Sequence, residues 1–232
     1  MWLSSRHSTD TSMNSYEKDI EDYLNALLEV NNSINLTRIT DDSDARLLHI
    51  EDSLSGLKEL NAAPDGLYGD LGSGGGFPGV PLALASGRET ILIDSVQKKM
   101  KAVQGILNQL GLNEKINVYA GRIEELSLEK PNQFSVLTAR ALAPLPSLLE
   151  LAAPLLRMNG VLICYKAPMD SELDEALSIQ DKLGFELKSR RDFTLSDNET
   201  NRCILVFEKV KNPSMKLPRR IGLAQKKPLS NL

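Results

Sequence analysis

A single α/β domain, with a mostly parallel sheet and helices on both faces, is the fold this sequence predicts. Three observations predict it. Short apolar runs alternate with helix-like stretches from Leu67 onward. A glycine-rich loop joins the first apolar run to the first helix of that series. The length, 232 residues, suits one domain with a sizeable core plus an accessory piece. Strands are expected near 67–71, 90–94, 116–120, 134–139 and 160–166, and helices over 79–86, 95–110 and 146–157. Ser95 is expected to cap the second of these helices and Gly111 to stop it. Two more strands, near 185–192 and 202–208, read as a terminal hairpin and bring the sheet to seven strands. Strand–helix–strand order implies right-handed crossovers, with ligands bound beyond the carboxyl ends of the strands. Gly72, Asp94 and Arg140 would all lie there.

The parts before and after this domain read differently. Residues 1–13 are expected to be disordered, and residues 14–64 form a helical prefix. Asn14, with Glu17 three residues on, reads as a helix start. Ile20, Tyr23, Leu24, Leu27 and Leu28 then repeat at helical spacing, and Asn31-Asn32 is the expected end. A second helix is expected from Asp42 or Asp44, with Leu47, Leu48, Leu54 and Leu57 on its apolar side; Pro64-Asp65-Gly66 closes the prefix. The ligand-binding domain is assigned to residues 65–210 and a basic tail to residues 211–232.

The glycine loop carries the first functional signal. Asp70-Leu71-Gly72-Ser73-Gly74-Gly75-Gly76-Phe77-Pro78-Gly79 packs five glycines into eight residues, more than a tight turn needs. A loop opening a helix points free N–H groups outward, and the helix dipole favours negative charge there. The NTPase phosphate loop is excluded because Lys is absent, and the dinucleotide pattern fails because Phe77 stands where its third glycine belongs. What remains, acid-x-Gly-x-Gly-x-Gly at Asp70, Gly72, Gly74 and Gly76, resembles the first motif of the Rossmann-like class I S-adenosylmethionine methyltransferases. Asp94, at the end of the next strand and 18 residues past Gly76, is placed to take both ribose hydroxyls. Alone it would serve equally well as a helix cap; the loop upstream favours the ribose.

Composition narrows the class. Apolar content of 41% and charged content of 25% are ordinary for a soluble globular chain. Nothing in the sequence is long and apolar enough to span a membrane, and Met1 to Ser15 lacks the apolar core of a signal peptide. Cys164 and Cys203 are too few for a disulfide framework and too isolated for a metal site, so they read as buried thiols of a cytoplasmic protein. The net charge is −4, but its distribution is uneven. Residues 209–232 hold seven basic and no acidic side chains, leaving −11 on residues 1–208, from 20 basic and 31 acidic ones. An acidic body with a basic tail suggests a polyanionic partner. Pro213, Pro218 and Pro228 oppose a helix, so the tail is expected to lie extended near the site. It would supply RNA affinity through Arg219, Arg220, Lys226 and Lys227 and leave cofactor binding alone.

Further motifs occur in a fixed order: Asn35-Leu36-Thr37, His49-Ile50 with Asp52-Ser53-Leu54, the loop Gly72 to Pro81, Asp94-Ser95, Gly121-Arg122-Ile123-Glu124-Glu125 and Ala139-Arg140-Ala141. Pro218-Arg219-Arg220-x-Gly222 and Lys226-Lys227-Pro228-Leu229 close the chain. The set resembles the bacterial 16S rRNA guanine-N7 methyltransferases, the RsmG or glucose-inhibited division protein B family, over roughly residues 14–229. Gly76-Phe77-Pro78-Gly79-x-Pro81 is its most specific segment. The resemblance implies a seven-stranded class I methyltransferase fold and S-adenosylmethionine as cofactor. It implies methylation of one guanosine at N7 in the 530 loop, with 16S rRNA or the 30S subunit as partner; separately, no metal is expected and a monomer is the expected state. Cofactor contacts carried over fall on Gly72, Phe77, Ile123, Glu124 and Arg140, with Arg140 also beside the methyl acceptor. The Glu124 side chain itself could equally be a solvated acid beside Glu125.

The remaining residues agree with that chemistry. Guanine N7 carries an in-plane lone pair and no proton at neutral pH, so positioning and desolvation suffice and no general base is required. Methylation of exocyclic amines commonly uses an Asn/Asp/Ser-Pro-Pro-aromatic motif after the fourth strand, where this chain has Ala139-Arg140-Ala141-Leu142. Attack on pyrimidine C5 needs a loop cysteine, and neither cysteine is so placed. Arg140 could orient the base or hold a phosphate; His49 is a weaker candidate, more often a core histidine. Two other classes stay open on the residues alone: a small-molecule methyltransferase lidded by residues 14–60, and a binding module without catalysis.

Overall fold

The computed structural model describes residues 15–37, 39 and 41–231; the expectations for residues 1–13 and for Asn14 lie outside that range. The prefix opens with α1 (Ser15–Ile34). It continues through α2 (Asp42–Ala45), a π-helical stretch Arg46–Glu51, α3 (Asp52–Leu54) and α4 (Leu57–Ala62). Then β1 (Tyr68–Leu71), α5 (Gly79–Ser86), β2 (Thr90–Asp94), α6 (Gln97–Gln109), β3 (Ile116–Ala120), α7 (Ile123–Glu129) and β4 (Phe134–Arg140) alternate. The chain ends with α8 (Leu145–Ala152), β5 (Leu156–Lys166), α9 (Asp170–Leu183), β6 (Phe185–Thr194), β7 (Asn201–Lys209), α10 (Leu223–Lys226) and a 3-10 turn Leu229–Asn231.

The strands form one seven-stranded sheet in the order β3-β2-β1-β4-β5-β7-β6, parallel except for the antiparallel β7. This is the predicted architecture. The chain leaves β1 for β2 on one side and returns to β4 on the other, so the carboxyl ends of β1 and β4 open a crevice where the strand order reverses. One face of the sheet is covered by α1, α5 and α6, through Tyr23, Leu27, Val80, Met100 and Val103. The other carries α7, α8 and α9, with Leu126, Leu148, Leu149, Ile179 and Leu183. Burial of this apolar surface is the main term holding the layers together.

Several boundaries differ from expectation, each for a local reason. α1 runs past Asn31-Asn32, because the buried Asn31 accepts the Thr37 N–H at Oδ1 and the helix stops instead at Asn35, whose φ is 54°. The second helix does not present Leu47, Leu48, Leu54 and Leu57 as its buried stripe. The π-helical turn rotates the face, so Ala45, His49, Asp52 and Ser53 are buried and those leucines are not fully covered. Ser95 does not cap α6; the residue at that position is Val96, with no side-chain cap, and Asp94 Oδ1 accepts the Val96 N–H at 2.8 Å in the turn that leads into the helix. α8 ends at Ala152 rather than 157, before Pro154. The chain also contains α7 and α9, which the sequence reading does not anticipate.

The tail is not extended. Between Pro218 and Pro228 it forms α10, and Ala224 and Leu229 are buried against the α8–α9 face. The seven cations of residues 209–232 divide. Lys209 is buried and donates to Asn132 Oδ1 and to the carbonyls of Ala153 and Leu156. Lys211 pairs with Asp181, and Arg219 is engaged by Glu150. Lys216, Arg220, Lys226 and Lys227 are exposed and have no ion-pair partner among the described residues.

Candidate active site

The glycine loop is fixed before any ligand arrives. Asp70, fully buried at the end of β1, accepts the Gly79 N–H at Oδ2 (2.9 Å) and the Thr138 hydroxyl at Oδ1 (2.6 Å), tying the start of α5 to β4. Burial pushes the Asp70 carboxyl up to about 6, against the opposing pull of those two donors. Asp70 therefore holds the loop rather than a ligand. Gly72 needs its glycine: its φ is +70°, and a Cβ there would stand 2.7 Å from Leu142. Tyr23 reaches over from α1 to donate to the Gly75 carbonyl at 3.0 Å.

Two cavities meet at Gly72. The larger, about 500 Å³, is lined by Thr37, His49, Asp52, Ser73, Phe77 and Arg140, with Tyr165, Lys166 and Arg202 also on its wall. The smaller, about 60 Å³, lies between the ends of β2 and β3 and is lined by Ile93, Asp94, Ser95, Gly121 to Glu124, Leu142, Leu151 and Gln225. Gly72, Phe77 and Arg140 thus border the large arm, and Gly72, Asp94, Ile123 and Glu124 the small one. Asp94 Oδ2 accepts the Gly74 N–H at 3.0 Å and Oδ1 the Val96 N–H, so this carboxylate clamps the glycine loop and the turn before α6 in the ligand-free chain.

Asp52 organises the large arm. Its buried carboxylate accepts from Arg140 at Oδ2 (2.8 Å) and from Arg202 at Oδ1 (3.0 Å), while Arg140 also donates to the Leu48 carbonyl. The start of α3 thereby holds the end of β4 and the start of β7 on either side of one acid. Lys166 pairs with Glu172 at 2.5 Å on the same rim. With Lys166 matched by Glu172, Arg140 and Arg202 share the single carboxylate of Asp52, which leaves the wall of the large arm one positive charge in excess and favours an anionic or electron-rich ligand. Sequence reasoning matches Asp52 only as part of a motif and misses Arg202 and Lys166; no local signal marks them.

His49 stacks on Phe77 with ring centroids 4.4 Å apart and planes 7° from parallel, and its Nε2 lies 2.9 Å from the Thr37 hydroxyl. Burial, reinforced by Arg140, pushes the imidazole down to about 4, so it is neutral at physiological pH. His49 Nδ1 is buried and lacks a partner in the protein, and His49 lines the large arm; the buried Ser73 hydroxyl lies close enough to Asp70 to help hold its carboxylate ionised.

Glu124 is not a solvated acid. It is buried, and its Oε1 accepts the Gly222 N–H of the tail at 2.7 Å. Glu125 accepts the Arg122 N–H at 3.0 Å and so closes the first turn of α7. Arg219 of the tail points inward: Nε and Nη2 donate to the two Glu150 oxygens at 2.7 and 2.5 Å, and its side chain is only 13% exposed. The expected RNA contact at Arg219 is thus spent on an internal ion pair, whereas Arg220, Lys226 and Lys227 face solvent.

A seven-stranded sheet of this order, with a glycine loop after β1 and an acid ending β2, defines a Rossmann-like methyltransferase. Solved structures agree on the fold. Cofactor-bound Rv0187 from MTB superposes with a TM-score of 0.58 at 15% identity, covering 87% of this chain and 100% of that one. The O-methyltransferase from Bacillus cereus in complex with SAH gives 0.58 at 16% identity, covering 86% and 93%. The family model for rRNA small subunit methyltransferase G matches residues 16–202, and the chain belongs to that family. The ribosomal RNA small subunit methyltransferase G of Lactobacillus johnsonii is 35% identical over 92% of this chain and 91% of its own length. That of Carboxydothermus hydrogenoformans is 35% identical over 90% of each. Among the described residues there is no metal-ligating cluster and no helix long and apolar enough to cross a membrane.

Proposed function

We propose that this chain is an S-adenosylmethionine-dependent methyltransferase that modifies N7 of a guanosine in the 530 loop of 16S rRNA, acting in the cytoplasm as a monomer. The observation that carries the reading is the two-armed cleft of a family member, meeting at Gly72, with Arg140 at the mouth of β4. The residues present fit the cofactor. The small arm offers Asp94 for the ribose and the Ile123–Glu124 turn for the base, and the large arm, bordered by Gly72, Ser73, Gly75 and Phe77, is left for the amino-acid end, although the Gly76 and Phe77 N–H groups already donate to the Ser73 carbonyl. When bound, S-adenosylmethionine supplies an electrophilic methyl group whose bond to sulfur breaks with both electrons going to sulfur.

The chain's own residues need only position the acceptor. N7 attacks with its lone pair, no proton leaves, and no base is required. Arg140, held by Asp52 and the Leu48 carbonyl, presents its remaining donors to the cleft, where a guanine edge or a phosphate would accept them. Neutral His49 keeps Phe77 in place by stacking and adds no charge to repel a sulfonium.

Asp94→Ala is expected to weaken cofactor binding by about 1–3 kcal/mol, through the missing ribose hydrogen bonds and a loosened loop. Calorimetry showing an unchanged Kd would leave Asp94 as a clamp on the loop and the turn only.

RNA is the proposed acceptor because the unpaired cations Arg220, Lys226 and Lys227 lie on a segment that packs beside the cleft. Replacing these three together should lower the salt slope of log K for RNA by about 0.7–0.9 for each phosphate that is no longer neutralised. Arg219→Ala should instead lower folding stability, since it leaves Glu150 buried without its partner. An unaltered salt slope in the triple variant would contradict the RNA-facing role of the tail. Turnover independent of salt would point to a small-molecule acceptor.

A further inference from the structure

We infer that the C-terminal segment from Arg219 to Leu229 is the outer wall of the small arm, and that Gln225 recognises the base edge of the cofactor there. The inference rests on the proposal that this arm takes the adenosine half of S-adenosylmethionine. The walls of the arm come from the glycine loop, the ends of β2 and β3, the turn at Leu142 and α8; the tail contributes Gln225.

The segment is built in. Gly222 donates its N–H to Glu124 Oε1 at 2.7 Å, on the very turn that borders the arm. Ser147 donates its hydroxyl to the Ala224 carbonyl at 2.7 Å, one residue before Gln225. Arg219 grips both Glu150 oxygens and also donates to the Lys227 carbonyl at 2.9 Å, closing the segment on itself. Ala224 and Leu229 are buried on either side of Gln225. This wall is therefore ordered before a ligand enters, so binding to it costs little entropy.

Gln225 itself is exposed, and its carboxamide makes no hydrogen bond among the described residues. A carboxamide offers a donor and an acceptor side by side, and adenine presents an N6 amino donor beside a ring-nitrogen acceptor. The two edges are complementary, the same pairing by which Gln reads adenine in nucleic acids. On the N6/N7 edge that this pairing uses, inosine presents two acceptors, O6 and N7, which neither orientation of the carboxamide matches. The same segment carries Arg220, Lys226 and Lys227, so the RNA-facing cations and the cofactor wall are one rigid unit. The expectation that the tail leaves cofactor binding alone is replaced by this reading.

The test is calorimetry on the full chain with S-adenosylhomocysteine, methylthioadenosine and methylthioinosine as probes. Gln225→Ala is expected to weaken S-adenosylhomocysteine about three- to tenfold while the ligand-free melting temperature stays within a degree or so, the side chain being exposed. Wild type should prefer methylthioadenosine to methylthioinosine, and the preference should shrink by a similar factor in Gln225→Ala. Gln225→Glu, which keeps the length but removes the amide donor, should behave like the alanine variant toward the base. Wild-type affinity and undiminished base preference in Gln225→Ala would overturn the inference and leave the cofactor reading standing. Failure of the wild-type chain to bind S-adenosylhomocysteine would overturn both.

Discussion

Asp52→Ala is expected to lose about 3–5 kcal/mol of folding stability and nearly all methyl transfer. Asp52 is the buried acid between Arg140 and Arg202, which come from strands far apart in sequence. Without it the two guanidiniums face each other across a partly buried cleft with no counterion, and Arg140 keeps only the Leu48 carbonyl. Both penalties act together: desolvated charge is left unpaired, and the side chain beside the acceptor loses its orientation. Chemical denaturation and single-turnover methylation on the same preparations separate them. Asp52→Asn preserves shape and one acceptor oxygen, so it should recover part of the stability and little of the rate. A stable, fully active Asp52→Ala would show that Arg140 is positioned without Asp52, by its strand and the Leu48 carbonyl.

Gly72→Val should weaken cofactor binding by roughly 10- to 100-fold, or about 1.4–2.8 kcal/mol. Valine at a φ of +70° is strained by about 1–2 kcal/mol, and its branched side chain meets Leu142, which lines the small arm. The loop must move or Leu142 must enter the small arm; either closes the cleft. Gly74→Ala is the control. Its φ is +57°, yet a Cβ there meets nothing nearer than the Gly72 carbonyl at 4.0 Å, so strain acts without a clash and the loss should be smaller. Equal affinities for wild type and Gly72→Val, measured by calorimetry, would remove the loop from the binding site.

The features legible in the sequence are those that local rules govern. The glycine loop announces itself because positive φ at Gly72 demands glycine whatever surrounds it. The expected bounds of β2 and β3 agree to the residue, and those of β1 and β4 to within one, because buried parallel strands are short apolar runs. Other features depend on distant partners. Asp52 meets Arg202 across 150 positions, and nothing near either residue in sequence marks the pair. The π-helical turn moves the buried face from Leu47 and Leu48 to His49 and Asp52, which periodicity at 3.6 residues cannot foresee. Arg219 reads as a solvent-facing cation, and Glu124 as an acid with or without a partner. Charged residues that stay in water look the same in sequence as charged residues that pair inside. α9 is legible in principle, from Ala176, Ile179 and Leu183 at helical spacing, but its many charges mask the stripe.

The decisive measurement is to incubate the purified chain with methyl-labelled S-adenosylmethionine and either assembled 30S subunits or naked 16S rRNA, and to map the labelled base. Label should appear at one guanosine of the 530 loop, at N7, as shown by strand scission after borohydride and aniline treatment. Label on an exocyclic amine or a pyrimidine carbon, or transfer to a small molecule with none to either RNA, would contradict the proposed reaction.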